Sequence, residues 1–202
     1  MTLPTTYLTE RFHKALVYAT EQHKDQTRKK TTITYICHPI GVASLVLEAN
    51  GDEDQAIAAL LHDVAEDCGG EPRLVEILEM FGSRVEKIVR ACSDSLVADP
   101  EEKAEWKDRK EVHINHLKEA DSDTLIVTAA DKAHNARSIA TDLQNQGPSL
   151  WKRFNADSEE IIWYYESVYK VLFDKNVSKS LLTPLRNAID VMKSSVYINS
   201  AG

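Results

Sequence analysis

The segment 58–67 places ionisable side chains in a largely apolar stretch. His62 and Asp63 are adjacent, and such groups are costly to bury unless they are paired or bound to a cation. On helical spacing, Glu66 lies one turn beyond His62 and Asp67 lies one turn beyond Asp63. One imidazole and three carboxylates are thus concentrated on one part of a helix. Taken alone, the pattern also allows an acidic surface with one hydrogen-bonded histidine.

Two distant segments carry further residues of the same types. His38 lies in the run YICHP, residues 35–39, and Asp131 begins the run DKAHNAR, residues 131–137. Imidazole and carboxylate groups together are compatible with Mn²⁺, Fe²⁺, Co²⁺ or Zn²⁺, and ligand type alone does not choose among these ions. The chemistry indicated is that of a divalent metal.

The elements that position these residues are predicted to be helices. Apolar residues recur at helical spacing, and no stretch alternates cleanly enough to require a half-buried strand. The predicted fold is all-α with roughly nine helices, over 7–24, 39–50, 52–68, 74–81, 83–92, 104–120, 123–146, 158–173 and 178–193. Asp52 is expected to cap the third helix and Asp123 the seventh. Residues 28–38 are expected to form a loop, and residues 93–103 a charged connection that could act as a mobile lid.

Composition indicates one soluble globular domain covering residues 1–202. The chain has 43% hydrophobic and 28% charged residues, and its 7 Gly and 6 Pro argue against a collagen-like, linker-like or many-turned β protein. The formal charge of −8 opposes a broad nucleic-acid or anionic-membrane surface. No apolar run reaches the roughly 18 residues of a spanning helix, and the start lacks a signal peptide, so a cytoplasmic location is expected. Cys37, Cys68 and Cys92 have no CxxC spacing and are expected to be buried thiols.

An isolated His, a His-Asp pair and a distant Asp in this order resemble the metal-binding signature of the HD phosphohydrolase superfamily. The intervening residues resemble the RelA/SpoT-type alarmone hydrolases more narrowly, over about residues 8–175. The matching runs are Arg28-Lys29 before Tyr35 and His38-Pro39, then residues 58–63 with Glu66-Asp67, then 130–132 through Asn135 and Arg137. The short chain looks most like the stand-alone small alarmone hydrolases.

This resemblance implies an all-helical HD domain that binds one divalent metal ion, usually Mn²⁺, through His38, His62, Asp63 and Asp131. It also implies that Glu66 and Asp67 position or deprotonate the attacking water, with roles that the sequence does not separate. The implied substrates are ppGpp and pppGpp, the small nucleotides of the stringent response. Attack at the phosphorus nearest the ribose would release pyrophosphate with GDP or GTP.

The resemblance further implies that Arg28, Lys29 and Asn135 contact the substrate. Three basic residues are further candidate contacts: Lys132, Arg109 and Arg153. Among these, Arg28 matches an arginine that stacks on the nucleobase, and Asn135 matches an asparagine near the ribose and 3′-phosphates. Many relatives carry a basic residue near the position of Trp106, so this aromatic side chain either stacks on the base or packs. Each basic residue also has a plain interpretation as a solvated charge or a structural ion pair.

Other functions remain open at this point. A related HD enzyme could act on an adenine alarmone such as ppApp or on the 2′-phosphate of NADPH. A non-catalytic alarmone-binding regulator would retain the fold, although the metal ligands and the acidic pair are all present. Alarmone synthesis is disfavoured because about 175 residues of hydrolase leave too little chain for a second catalytic domain. The oligomeric state is not readable from the sequence.

Overall fold

The computed structural model describes residues 5–96 and 104–199, and in these ranges the regular structure is helical. The helices are α1 Glu10–Gln22, α2 Cys37–Glu48, α3 Glu53–Leu61, α4 Val64–Cys68, α5 Glu71–Phe81, α6 Ser83–Cys92, α7 Trp106–Glu119, α8 Ser122–Gln146, a 3₁₀ helix Gly147–Arg153, α9 Ser158–Asp174 and α10 Lys179–Asn199. A single antiparallel bridge, Thr27 to Thr34, closes the loop after α1 and is the extent of β structure among the described residues. The all-α prediction is confirmed; that residues 1–202 form one domain stays a prediction.

Two helices form the centre of the fold, and three of the four candidate ligands lie on the second of them or directly after the first. In α3, residues 56–61 are all buried, and its N-terminus has the expected capping box between Asp52 and Gln55. In α8, alanines at 129, 133, 136 and 140 are buried, and their small side chains allow neighbouring helices to approach closely. Helix α2 packs against both α3 and α8, and α10 packs along α8. The site residues therefore project from the packed centre of the molecule.

The predicted helix over 52–68 is interrupted at the His-Asp pair. Helix α3 ends at Leu61 and α4 begins at Val64, with Asp63 at φ −96° and ψ −7°. The Nδ1 of His62 lies 2.7 Å from the carbonyl oxygen of Ala59, which in a continuous helix would accept from the amide of Asp63. The imidazole thus replaces a backbone donor, and the chain turns at the pair that was expected to lie within one helix.

The start of α8 also differs from the sequence prediction. The side chain of Asp121, two residues before the expected cap, accepts from the amide of Thr124 at 3.0 Å. Asp123 instead binds Arg84 at 2.7 Å and Gln55 at 2.9 Å, which ties α8 to α3 and α6. The prediction that Asp123 caps this helix is wrong because a side chain bound to neighbouring helices is not free to cap its own.

The expected lid over 93–103 lies only in part within the described residues, since 97–103 fall outside them. Residues 93–96 follow α6, and Asp94 is held there by side-chain contacts described below.

Helix α10 continues to Asn199, beyond the predicted end at 193. In the described parts of the chain, no helix combines the length and hydropathy needed to cross a membrane.

Candidate active site

Four candidate ligands from separate parts of the sequence meet beneath one cavity. His38 comes from α2, His62 from the end of α3, Asp63 from the following turn and Asp131 from α8. The Nε2 of His38 lies 3.2 Å from Asp131 Oδ1 and 3.4 Å from Asp63 Oδ2. The Nε2 of His62 lies 3.0 Å from Asp63 Oδ2. Ligand atoms of His38, His62 and Asp131 all lie within 4.8 Å of one another, as suits a single ion.

The hydrogen bonding of His62 is suited to a cation at this cluster. A carbonyl oxygen can only accept, so Nδ1 donates to Ala59, and Nε2 of the neutral ring carries a lone pair. That lone pair faces the carboxylates of Asp63 and Asp131, and the buried Nε2 has no hydrogen-bond partner among the described residues. Burial opposes a charged imidazole, yet the two carboxylates raise the pKa of His62 well above its usual value. These residues fit a divalent ion, which would bind both the Nε2 lone pair of His62 and the carboxylate oxygens that face it.

His134 orients the second imidazole, a role that sequence analysis did not assign. Its Nδ1 lies 2.9 Å from Nδ1 of His38. Burial, together with the nearby His38 and arginines, lowers the pKa of His134 to about 3, so its ring is neutral. The shared proton can therefore be carried by His38, whose Nε2 then presents its lone pair to the carboxylates. The ring of His134 packs on Gly41, where a Cβ would lie 2.3 Å from Nε2.

The acidic pair is held from two different walls of the cavity. Glu66 Oε2 accepts from the backbone amide of Asp94 at 2.8 Å, and Asp67 Oδ2 accepts from Nε2 of Gln26 at 2.8 Å. Burial and the nearby Asp94 carboxylate raise the pKa of Glu66 to about 7. Loss of hydration and the charge of Asp63 also raise the pKa of Asp67. Both groups are thus better proton acceptors than ordinary carboxylates, and Glu66 can carry a proton near neutral pH.

The cavity has a volume of about 560 Å³, which is within the usual range for a small-molecule site. Most of the residues predicted to bind metal or substrate, or to act in catalysis, line it: Arg28, Lys29, Asp63, Glu66, Asp67, Asp131, Lys132, Asn135 and Arg153. His38 and His62 lie behind this wall, and each is nearly fully buried. The structure therefore brings the candidate metal, catalytic and substrate residues into one space.

A chain of hydrogen bonds connects the candidate base-stacking residue to the metal cluster. Arg28 donates to Oδ1 of Asn135 at 2.7 Å, and Asn135 Nδ2 donates to Asp131 Oδ1 at 2.6 Å. The guanidinium also lies 5.7 Å from the ring centroid of Tyr35, whose hydroxyl donates to Asp63 at 2.6 Å. Arg28 is consequently ordered by two contacts that both lead to candidate metal ligands.

The other predicted substrate residues have varied surroundings. Lys132 Nζ lies 2.7 Å from Asp131 Oδ2, Lys29 donates to Asn155 Oδ1 at 3.2 Å, and Arg153 forms an ion pair with Asp142. Arg109 does not join them: it lies outside the cavity lining and donates to the carbonyl of Ala104 at 3.1 Å.

The neighbour of Arg109, Lys110, lines the cavity instead. Trp106 packs edge-on against the buried Tyr164, with ring centroids 6.0 Å apart, so the packing alternative describes it. The expectation of buried thiols is wrong for Cys37, which is exposed at the cavity lining. These side chains differ from the expectation because their orientation depends on how each helix is rotated, which sequence spacing alone leaves open.

We expect Gly41→Ala to destabilise the protein, although alanine is normally the better helix residue by about 1 kcal/mol. The added methyl would meet the ring of His134, and forced repacking costs about 1–3 kcal/mol. Chemical denaturation measures the effect. In a His134→Ala background the same substitution should be neutral or stabilising, and an equal loss in both backgrounds would contradict the contact.

We expect Glu66→Gln to stabilise the metal-free protein at pH 8 but not at pH 4. The pKa of this carboxyl rises from 4.5 to about 7 on folding, so the wild type loses stability relative to the variant as pH rises through this window. The difference should reach about 3 kcal/mol at pH 8. Denaturation at several pH values measures it, with the exposed Glu79→Gln as control. A difference that does not change with pH would contradict the raised pKa.

Comparison with known families identifies relatives of this chain. A family described as HD domain matches residues 15–161. Guanosine-3′,5′-bis(diphosphate) 3′-pyrophosphohydrolase MESH1 from Xenopus tropicalis is 34% identical over 141 residues, which are 68% of this chain and 72% of that protein. MESH1 from Drosophila melanogaster is 32% identical over 161 residues, which are 78% of this chain and 83% of that protein.

A longer bacterial relative matches over only part of its length. The bifunctional (p)ppGpp synthase/hydrolase SpoT from Escherichia coli is 30% identical over 146 residues. The match spans 67% of this chain and 20% of SpoT.

Solved structures agree with this relationship. One, described as a metazoan ortholog of SpoT that hydrolyses ppGpp, superposes with a TM-score of 0.74 at 27% identity, covering 92% of this chain and 97% of that one. The crystal structure of lmo0812 from Listeria monocytogenes shares the fold, with a TM-score of 0.61 at 22% identity and coverage of 75% and 96%. The chain therefore belongs to the HD domain family and is a member of its RelA/SpoT-type branch.

Proposed function

We propose that this protein is a metal-dependent hydrolase that removes the 3′-pyrophosphate from ppGpp or pppGpp, giving GDP or GTP and pyrophosphate. One observation carries the proposal: a single cavity joins the buried His/Asp cluster to the Glu66–Asp67 pair and to Arg28. The names of the MESH1 relatives, which this chain covers over most of their length, support the same reaction. A non-catalytic regulator would have no need of two carboxylates held beside the metal cluster.

The proposed cofactor is one Mn²⁺ ion held by His38, His62, Asp63 and Asp131. The donor set of two imidazoles and two carboxylates, without thiolate, supports a first-row divalent ion. When bound, such an ion supplies positive charge for the phosphoryl oxygens and acidifies water. His134 and Tyr35 keep the ligands His38 and Asp63 in orientation through hydrogen bonds of 2.9 and 2.6 Å.

The acidic pair supplies the proton transfers of the proposed reaction. Water attacks the phosphorus attached to the ribose, so a new P–O bond forms while the bond from phosphorus to O3′ breaks. Glu66 and Asp67 orient the water and accept its proton, because both pKa values are raised. The proton then passes to O3′, which completes GDP or GTP as the leaving group. The pair thereby acts as base and then as acid.

The substrate contacts follow from the hydrogen bonds already described. Arg28 presents a planar guanidinium to the nucleobase, for which stacking is favourable because this cation is weakly hydrated. Asn135 lies between Arg28 and Asp131, where the ribose and its 3′-phosphate would join the base to the cluster. Lys29, Lys132 and Arg153 supply positive charge along the cavity lining.

The reaction is tested with metal-stripped protein to which Mn²⁺, Zn²⁺ or Mg²⁺ is restored. We expect no turnover before reconstitution and the fastest release of pyrophosphate from ppGpp with Mn²⁺. Chromatography of products from ppGpp, ppApp and NADPH, assayed side by side, separates this activity from those on other nucleotides. Full activity in metal-free protein would overturn the metal proposal, and faster release of phosphate from NADPH would overturn the substrate.

The roles of the acidic pair and Arg28 are separated by two variants. Glu66→Gln with Asp67→Asn removes two charges at constant volume and should lower kcat by about 100-fold or more while metal and ppGpp remain bound. Arg28→Ala should mainly raise KM, because stacking acts equally in the ground and transition states. Elemental analysis, calorimetry and pyrophosphate release measure these effects. Loss of metal from the double variant would place the pair among the ligands, and unchanged kcat would remove it from the mechanism.

A further inference from the structure

A partly buried lysine lies on the cavity wall beside the acidic pair and has no role in the reaction described so far. Lys110 projects from α7, its side chain is 14% exposed, and it lines the cavity together with Glu66, Asp94 and Lys132. Its Nζ forms an ion pair with Asp94 and lies 4.8 Å from the ring centroid of Tyr164. A lysine this deeply placed needs compensating negative charge.

Asp94 connects this lysine to the acidic pair. Its backbone amide donates to Glu66 at 2.8 Å, while its carboxylate binds Lys110 and lies 3.0 Å from Nδ1 of His113. The ammonium of Lys110 is therefore fixed on the same wall as a group proposed to handle the proton of the attacking water. An ammonium has three N–H donors, so pairing with Asp94 leaves capacity for a further anion.

A second lysine shares this end of the cavity. Lys132 Nζ lies 5.7 Å from the centroid of the same Tyr164 ring, and it binds Asp131 Oδ2. Asn135 accepts a hydrogen bond from Arg28 and donates one to the other carboxylate oxygen of Asp131, Oδ1. Two cations thus lie near one aromatic ring, separated by Asp131 from the residues proposed to hold the base and ribose.

Burial makes the ammonium of Lys110 a costly charge, although the carboxylates of Asp94 and Glu66 stabilise it. Burial and the neighbouring Lys132 lower the pKa of Lys110, while Asp94 opposes this effect. A phosphate group at this position would receive charge-assisted hydrogen bonds from the remaining N–H donors of Lys110, which would offset the cost of keeping its ammonium charged away from water. The surrounding protein already orders the lysine, so little side-chain entropy remains to be lost on binding.

We propose that Lys110 binds the distal phosphate of the pyrophosphoryl group that is transferred to water. The inference rests on the proposed function, since it assigns one part of that substrate to one side chain. The bond from phosphorus to O3′ breaks and the bond from phosphorus to water forms as before, and Lys110 exchanges no proton. It holds the terminal phosphate so that the phosphorus attached to the ribose lies at the metal cluster.

The test compares ligands that differ only in the 3′-pyrophosphate. Calorimetry with Mn²⁺-loaded protein measures the affinities for ppGpp and GDP, in the Glu66→Gln, Asp67→Asn background to prevent turnover. Lys110→Met should weaken ppGpp binding by about 30-fold, the scale of one charge-assisted hydrogen bond, and change GDP binding by less than about twofold. Lys107→Met is the matched control, because Lys107 is exposed on the same helix with its Nζ 5.7 Å from the ring centroid of Trp163. It should change neither affinity.

Lys110→Arg keeps the charge and provides a second measurement if the methionine variant folds poorly. It should retain most of the selectivity for ppGpp over GDP. Equal losses for both ligands in either variant, or no loss in Lys110→Met, would overturn the assignment. If the unmodified protein neither hydrolyses ppGpp nor prefers it to GDP, the proposed function fails and this inference fails with it. If the unmodified protein hydrolyses ppGpp and prefers it to GDP, and Lys110→Met binds ppGpp with the same affinity as the unmodified protein, this inference alone fails.

Discussion

The structure depends on bringing two imidazole lone pairs against two carboxylates in the interior of a helical protein. Such a cluster is unfavourable unless a proton or a metal ion lies among the facing acceptors. The neighbouring residues all maintain this arrangement. Ala59 and His134 lie against the Nδ1 atoms of the two imidazoles. Lys132 binds the Asp131 oxygen that faces away from the imidazoles, and Tyr35 donates to the Asp63 oxygen that faces them. The oxygens that face the imidazoles, Asp63 Oδ2 and Asp131 Oδ1, accept from Tyr35 and Asn135, and each keeps a second lone pair that a cation could use.

Four of the central candidate residues stand out in their local sequence, whereas His38 and Asp131 are assigned as candidate ligands by the resemblance to the HD family. His62 and Asp63 interrupt an apolar run, and the acidic pair follows at helical spacing. The orienting contacts could not be predicted, since the bond from His38 to His134 joins residues that are adjacent only because α2 packs on α8. Gly41 was the available signal: a glycine one turn after His38 within a helix indicates close approach of another group.

Predictions failed where neighbouring residues have similar chemistry. Asp121 and Asp123 are both suitable helix caps, and the choice is decided by Arg84 and Gln55 from other helices. Arg109 and Lys110 are adjacent cations on α7, a helix with polar residues on most sides. Weak amphipathicity gives little information on helix rotation, so only packing shows which cation enters the cavity. The same reasoning explains why all-α architecture was predictable while the rotation of individual helices was not.

The loop between α1 and α2 places two functions on one short piece of backbone. Gln26 holds Asp67, Arg28 reaches Asn135, and the pairing of Thr27 with Thr34 closes the loop around them. Moving Arg28 therefore also moves the donor that aligns Asp67. Thermodynamic linkage makes such coupling reciprocal: a ligand that stacks on Arg28 stabilises the loop position that aligns Asp67, and a ligand that engages Asp67 stabilises the position of Arg28. Stacking of a nucleobase on Arg28 thus favours the loop position that also holds Asp67, and phosphate compounds without a base lose this contribution to binding.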